Sequence, residues 1–448
     1  ELKKITDKII TDFKDVIYPD SPNFKTFKEF QKKMKNAEKC WKNENNVINI
    51  IKCSDAYFTN DTIKFDENPD LLGFNNGCYD FKLNKFRDYL KTDYVNMSCN
   101  FDYVIQRDPI KEKTLMDLIT SIIPNEDNRT LLLEILSKGL LGEAVENFVI
   151  FNNGGRNGKG LINDMMAFCL GDYCYSNCPV AILFEKERTG GNPELANIHK
   201  KRYCVMREPS KNTKFNNGRV KELTGKGTIN ARMLHSNETK VTLNLVLVLE
   251  CNSKPDFQDE PTRAEYERLI DLEFPNTFTT DDNLIDNVKF FKAETKYKED
   301  CWRLEFRQSF IHILINYASK LRTNKYKFSI PQSIRDRTNK YLEKSFPIIE
   351  LFNNYYEKST DNKDFIKLAD VVIRIHNSEE YNNLNKNEKN NYTDKKIREF
   401  IKSNPYFDKS YFEVKKIDKV NYKNVLVGYK EIITDDDDED KVISPFDK

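Results

Sequence analysis

The sequence predicts an α/β fold: a central sheet with helices packed on it, a small α+β module before it and a helical module with a hairpin after it. Three observations carry this. The run "NFVIF" at 147–151 is short, apolar, β-branched and aromatic, as a buried parallel strand should be, and a Gly-rich turn and the helically spaced "GLINDMMAFCLG" follow it. Two further apolar runs, "RYCVM" and "VTLNLVLVLEC", are separated by helical segments, which argues for a sheet with helices on it. After Pro347, three short helical patterns precede two alternating runs, the outline of a winged-helix module.

In chain order, residues 1 to about 60 carry helically spaced letters such as "ITDKIITDFKDVIY". "FNNGCYDFKLNKFRDY" then alternates short β-type runs with Asn-Gly and Asn-Lys turns. The helical period returns in "LMDLITSIIP" and "NRTLLLEILSKGLLG", with Gly142 as the expected stop. The central block follows, and beyond about residue 285 "WRLEFRQSFIHILINYASKL" is helical again. The last part holds "IIELFNNYYEKS", "FIKLADVVIRIHN" and "TDKKIREFIKSN", then the hairpin-like "YFEVKKI" and "NVLVGYKEI". The expected division is an entry module over 1–110, a core over 111–285, a helical lid or linker over 286–345, and a winged-helix-like domain with an acidic tail over 346–448.

With 448 residues, several domains are expected. Hydrophobic residues make up 39% and charged residues 32%, and no apolar run approaches the roughly 20 residues of a membrane helix, so no membrane partner is expected. The 72 basic and 71 acidic residues nearly cancel, and "TDDDDED" reads as a solvated acidic tail. Ten cysteines lie scattered among four histidines, and the one close cluster, Cys169, Cys174 and Cys178, lacks the C-x-x-C or His spacing of a zinc site. Buried thiols are the expectation. The chain opens at Glu1 without Met, which is read as a part of a longer protein.

The turn after "NFVIF" departs by two letters from the phosphate-loop pattern G-x-x-x-x-G-K-[ST]. Gly158 and Lys159 are in place, but Asn153 replaces the leading Gly and Gly160 replaces the Ser or Thr. Such a loop aims backbone N–H groups and a helix N-terminus at anionic oxygens. The expected nucleotide-binding set is therefore Asn153, Gly154, Gly155, Arg156, Asn157, Gly158, Lys159, Gly160 and Leu161. Downstream, Glu208 ends an apolar run that Pro209 stops from pairing further, where an acid could polarise water or help to hold magnesium. Asn252 emerges from another buried run and could orient water against a γ-phosphate. Arg268, before a third run, could serve a neighbouring subunit as a finger or be an ordinary surface ion-pair partner. Four residues, Lys159, Glu208, Asn252 and Arg268, form the candidate catalytic set.

Taken in order, the Gly-Lys loop, "NPELANIHKKRYCVMREP", "VKELTGKGTINARMLHSNETK", "LVLECNSKP" and "ERLIDLEF" resemble the ATPase core of the superfamily 3 helicases. They are most similar to the poxvirus-type primase–helicases of nucleocytoplasmic large DNA viruses. The segment "FNNGCYDFKLNKFRDY" is similar to the entry domain of that family. The resemblance implies a P-loop AAA+-type core that binds ATP and Mg2+, works as a homo-oligomeric ring, usually a hexamer, and translocates on single-stranded or forked DNA. It implies a primase domain ahead of the present chain and work at the viral replication site in the cytoplasm of an infected host cell. It makes "LTGKGTINARMLHSNETKVTL" a hairpin projecting into a pore, with His235 and Lys240 flanking its tip as DNA contacts.

This sequence departs from the family pattern at four places. Gly160 has no hydroxyl for magnesium, Arg207 stands where many ATPases carry a magnesium-binding Asp, Glu267 replaces the first of two arginines, and "GKG" replaces Gly-Asp in the hairpin. Magnesium would then be held by the triphosphate and water, with help from Glu208. In the last module, Lys395, Lys396 and Arg398 lie on one predicted helix that Thr or Asp could cap, arranged for phosphate contact or as a solvated face. Two other readings keep the loop: a DNA-binding scaffold that does not hydrolyse ATP, and a small-molecule or nucleotide kinase.

Overall fold

The five strands of the central sheet all run parallel, so their C-terminal ends meet on one edge, and that edge carries the candidate loop. The computed structural model describes residues 63–432 except 185–192, 211–212, 226, 233–237, 260, 346–347, 362, 385, 390–391, 405 and 408, with scattered positions before 63. The expected helices of residues 1–60 and the acidic tail lie outside the described residues. Asp66 onward forms one compact unit.

The unit begins with β1 (Leu71–Phe74), β2 (Gly77–Asp80) and β3 (Lys85–Arg87), an antiparallel sheet in that order. The Asn-Gly signal makes its first turn. Gly77 has φ +149°, and a Cβ there would lie 2.5 Å from the carbonyl of Arg87, so only glycine fits. Two helices follow, α1 (Pro109–Ile122) and α2 (Glu126–Lys138), capped by Asp108 and Asn125. The second ends at Gly139, not at the expected Gly142, because Leu140 and Leu141 are wholly buried and continue as tight turns.

The central strands are β4 (Phe148–Asn152), β5 (Cys174–Tyr175), β6 (Tyr203–Arg207), β9 (Val246–Glu250) and β10 (Leu269–Glu273), in spatial order β10-β4-β9-β6-β5. Between β6 and β9 lie α4 (Asn217–Thr224) and an antiparallel hairpin, β7 (Thr228–Arg232) with β8 (Glu238–Thr242). The run "VTLNLVLVLEC" is thus two elements: Val241 and Thr242 finish the hairpin, and Val246 starts the buried strand. Alternation sorts the strand residues to two faces. Val149, Phe151, Val205, Val248 and Ile270 join one core with α3 (Lys159–Leu170), while Phe148, Ile150, Met206, Leu247 and Leu249 join another with α4. A long helix, α6 (Asp300–Thr323), packs on α1, α2 and α3, and α7 (Gln332–Ser345) packs on β10. Among the described residues no helix is long and apolar enough to cross a membrane.

Two buried cations tie this unit together. The Arg202 guanidinium donates to the carbonyls of Leu140 and Leu71, both at 2.6 Å, and lies over the Tyr173 ring, clamping the entry sheet to the core. Lys138 is fully buried at the end of α2, donates to the Glu143 carbonyl and faces the Tyr326 ring.

The last part is α8 (Ile348–Tyr355), β13 (Tyr356–Lys358), β14 (Phe365–Lys367), α9 (Leu368–Asn377), α10 (Asp394–Ser403), β15 (Tyr411–Ile417), β16 (Val420–Val427) and β17 (Tyr429–Glu431). The runs expected as helices "IIELFNNYYEKS" and "FIKLADVVIRIHN" each include a short strand, β13 and β14. β15 and β16 form the expected hairpin, which β14 extends to a three-stranded antiparallel sheet over a separate apolar core.

Burial pushes the Lys138 ammonium down to about 7, against 10.5 when free in water. Between those values the unfolded chain binds more protons than the folded one, so this group's contribution to stability rises with pH from 7 to 10.5 and its penalty is complete below 7. Lys138→Met should therefore raise the urea midpoint more at pH 6 than at pH 9.5, and an equal gain at both would contradict this account.

Candidate functional site

Strand β4 ends at Asn152, and residues 153–158 turn before α3 begins at Lys159. Three residues of this turn are left-handed: Asn153 (φ +99°), Arg156 (+61°) and Gly158 (+91°). Asn tolerates this region better than most residues do, and its side chain explains why it stands in place of glycine. Asn153 Nδ2 donates to Glu273 and to the Phe274 carbonyl, both at 3.2 Å, pinning the loop to the end of β10. Beneath it, Asp271 is wholly buried among Lys254, Arg337 and Asn152, and Arg337 also donates to Glu273 at 2.7 Å and to Asn152 Oδ1 at 2.8 Å. Gly158 packs against Ile122 so closely that a Cβ would lie 2.8 Å from its Cδ1, while Gly154 and Gly155 have open space around them.

Lys159 is 3% exposed. Its Nζ donates to the carbonyls of Asn153 (2.5 Å) and Gly154 (2.8 Å) and to the side-chain oxygens of Asn157 (3.1 Å) and Asn252 (3.3 Å). Burial lowers its pKa, and the nearby Glu250, Cys251 and Glu208 oppose that shift. Asn252 in turn donates to Glu208 Oε1 at 2.9 Å. The structure thus joins Lys159, Asn252 and Glu208, from three adjacent strand ends, in one hydrogen-bonded chain. Glu208 is exposed with φ +46°, and its N–H donates to the Glu250 carbonyl at 2.9 Å, which turns the chain off β6 ahead of Pro209.

These groups open into a cavity of about 1100 Å³ lined by the loop from Gly155 to Leu161, by Asp164, Glu208, Glu250 and Asn252, and on the far side by β11 (Thr277–Thr279), β12 (Phe290–Lys292) and Arg303 of α6. At its edge lies the N-terminus of α3, where Gly158 offers no side-chain cap and the Lys159 N–H makes only a long bond, 3.5 Å, to Asn157 Oδ1, an arrangement suited to anionic oxygens. Three residues of this site escaped the sequence reading. Glu250 ends β9 with 12% side-chain exposure and accepts from Asn163 at 2.8 Å. Asp164 pairs with Arg207 (2.8 Å) and Arg303 (3.4 Å). Glu250 had the same signal as Glu208, an acid ending an apolar run, whereas no local pattern marks Asp164 or Arg303.

Arg268 does not meet this group. It closes α5 (Arg263–Arg268) just before β10, at the opposite edge of the sheet from Lys159. Lys240 lies in β8 opposite Asn230, and the hairpin leads into the N-terminal end of β9, again away from the loop. His235 and the start of the hairpin tip lie outside the described residues. Lys395 and Lys396 are exposed on α10, Arg398 is half-buried, and Thr393 rather than Asp394 supplies the cap. Of the clustered cysteines, Cys169 and Cys178 are buried and Cys174 is half-buried. Among the described residues no three metal-ligating side chains come together.

Residues 2–132 match the family described as "D5 N terminal like". The chain is 28% identical over 358 residues to the protein named "Putative helicase L207/L206" of Acanthamoeba polyphaga mimivirus, covering 77% of this chain and 36% of that protein. It is 28% identical over 278 residues to "Primase D5" of fowlpox virus, covering 58% of this chain and 34% of that protein. It is also 25% identical over 395 residues to "Putative helicase 121R" of invertebrate iridescent virus 3, covering 80% and 42%. The chain therefore spans well under half the length of these relatives.

The loop geometry makes a direct prediction. Gly158→Ala forces a side chain into the left-handed region, costing about 1–2 kcal/mol, and drives it into Ile122. Gly155→Ala meets nothing. Chemical denaturation should show a clear loss for the first and near-wild-type stability for the second; equal stabilities would contradict the assigned loop conformation.

Proposed function

Taking this chain as a member of the poxvirus D5-type primase–helicase family, we propose that it is an ATP-driven DNA helicase motor of superfamily 3 type, with a P-loop AAA+-type core, acting in viral DNA replication. One observation carries the reading: Lys159, Asn252 and Glu208 are linked at the C-terminal edge of a parallel sheet, where a left-handed loop opens onto an uncapped helix N-terminus. A triphosphate entering the cavity would replace the carbonyls of Asn153 and Gly154 as the partner of Lys159, because phosphate oxygens carry full charge. Backbone N–H groups of residues 154–161 would hold the β- and γ-phosphates. Asn252 would orient the attacking water, and the exposed carboxylate of Glu208, held in place by Asn252, would take its proton.

Magnesium fits this site as a companion of the triphosphate. Gly160 brings no hydroxyl, but the carboxylates of Glu208 and Glu250 line the same cavity of about 1100 Å³, oxygen ligands of the kind that an ion with its waters takes. When bound it neutralises charge on the β- and γ-phosphates. Glu208 is the residue this reading places beside its water shell.

The DNA and ring parts of the proposal rest on residues away from the loop. Arg268, at the opposite edge of the sheet from its own Lys159, would serve a neighbouring copy in a homo-oligomeric ring such as a hexamer. The hairpin of β7 and β8, with His235 and Lys240, would contact single-stranded or forked DNA. The C-terminal module, read as a winged helix, would offer Lys395, Lys396 and Arg398 to phosphates. A primase domain linked ahead of this chain and a cytoplasmic replication site complete the proposal. A second reading, a DNA-binding scaffold without turnover, draws on Gly160 and on Arg207, which is occupied by Asp164.

Lys159→Ala tests the reading. It should reduce ATP hydrolysis, with and without single-stranded DNA, by about 10²–10³-fold, while circular dichroism stays that of the wild type. A folded variant with wild-type turnover would remove Lys159 from the mechanism, and a wild type with no turnover at any magnesium concentration would favour the scaffold.

A further inference from the structure

We propose that Glu250, at the end of β9, is the carboxylate that faces the magnesium of a bound nucleotide and stands in for the hydroxyl that Gly160 lacks; this rests on the nucleotide reading above. The argument starts from the empty side-chain position. A Cβ built on Gly160 would meet one atom within 4 Å, Glu250 Oε1 at 3.4 Å. The place where a serine or threonine would begin is therefore faced by a carboxylate oxygen from a strand 90 residues further along the chain.

That oxygen is available. Glu250 Oε2 accepts from Asn163 Nδ2 at 2.8 Å and draws the Arg207 Nε to 3.7 Å, while Oε1 has no hydrogen-bond donor among the described residues. Asn163 lies one turn into α3 from Gly160 and is wholly buried, and Tyr203 donates to it at 2.8 Å. The carboxylate is thus fixed through one oxygen, with the other turned to the loop helix. A ligand held this way keeps its orientation when the metal arrives.

The neighbouring strand explains why β9 carries the acid. At the end of β6 stands Arg207, bound to Asp164 at 2.8 Å, so β6 presents a cation where an acid would serve magnesium. A carboxylate one strand over keeps a negative charge beside the start of α3 while leaving Glu208 free for water. A carboxylate within the burial of Lys159 could instead serve only as a counter-ion to Lys159 and Arg207. The two roles differ in what magnesium does to nucleotide binding.

The test uses the whole chain and a fluorescent ATP analogue, titrated once in EDTA and once in magnesium. The ratio of the two dissociation constants measures what the metal adds. Glu250→Gln keeps a side-chain oxygen for Asn163 but lowers the charge; it should cut that ratio by about 10–100-fold and leave binding in EDTA near wild type. Adding a hydroxyl at the empty position, Gly160→Ser with Glu250→Gln, should recover part of the ratio. A Glu250→Gln ratio equal to wild type would overturn the proposal, as would a loss of binding in EDTA as large as that in magnesium, which is the counter-ion outcome. A double variant no better than Glu250→Gln would also count against it. Absence of wild-type binding in both buffers would overturn the nucleotide site and this assignment with it.

Discussion

An ammonium group buried at the edge of a sheet sets the terms for the rest of this site. Lys159 is almost sealed from water, and an unpartnered charge there would cost several kcal/mol. Four oxygens from Asn153, Gly154, Asn157 and Asn252 surround it instead. Those partners require the left-handed turns at 153, 156 and 158, and the turns require anchors. The anchors are Asn153 on the end of β10 and, beneath it, the buried Asp271 with Arg337 and Lys254. The loop is therefore shaped before any ligand arrives, and a ligand has to offer Lys159 better oxygens than it already has.

The parallel sheet divides the two sides of the proposed motor. Its C-terminal edge gathers the loop, Glu208, Glu250 and Asn252, all within the same cavity. Its N-terminal edge receives the hairpin of β7 and β8 and, before β10, Arg268. Strands β9 and β10 run between those edges, buried on both faces.

The strand, loop and helix at 147–171 were readable because their signals are local: β-branched apolar letters, glycines at the turn, and a helical period closed by Gly171. The acid and amide at Glu208 and Asn252 were readable for the same reason, each sitting where an apolar run stops. The contact of Glu250 with Gly160 was not, because it joins residues that neighbour only after β9 pairs with β4 and β6. Arg207 looked like a gap in an acid pair, and its meaning changes once Asp164, on a different element, is seen bound to it. The run at 241–250 looked like one strand because apolar spacing alone does not mark where a hairpin hands over to a sheet. The stop at Gly139 was hidden for a related reason: tertiary burial of Leu140 and Leu141 took over from the helical pattern.

The most direct measurement is a structure of this chain with a non-hydrolysable ATP analogue and magnesium, compared with the chain alone. The account predicts that the triphosphate lies across the N-terminus of α3, with the Lys159 ammonium moved off the carbonyls of Asn153 and Gly154 onto phosphate oxygens, and Asn252 still beside Glu208. A triphosphate bound elsewhere, with Lys159 still enclosed by its own loop, would contradict it.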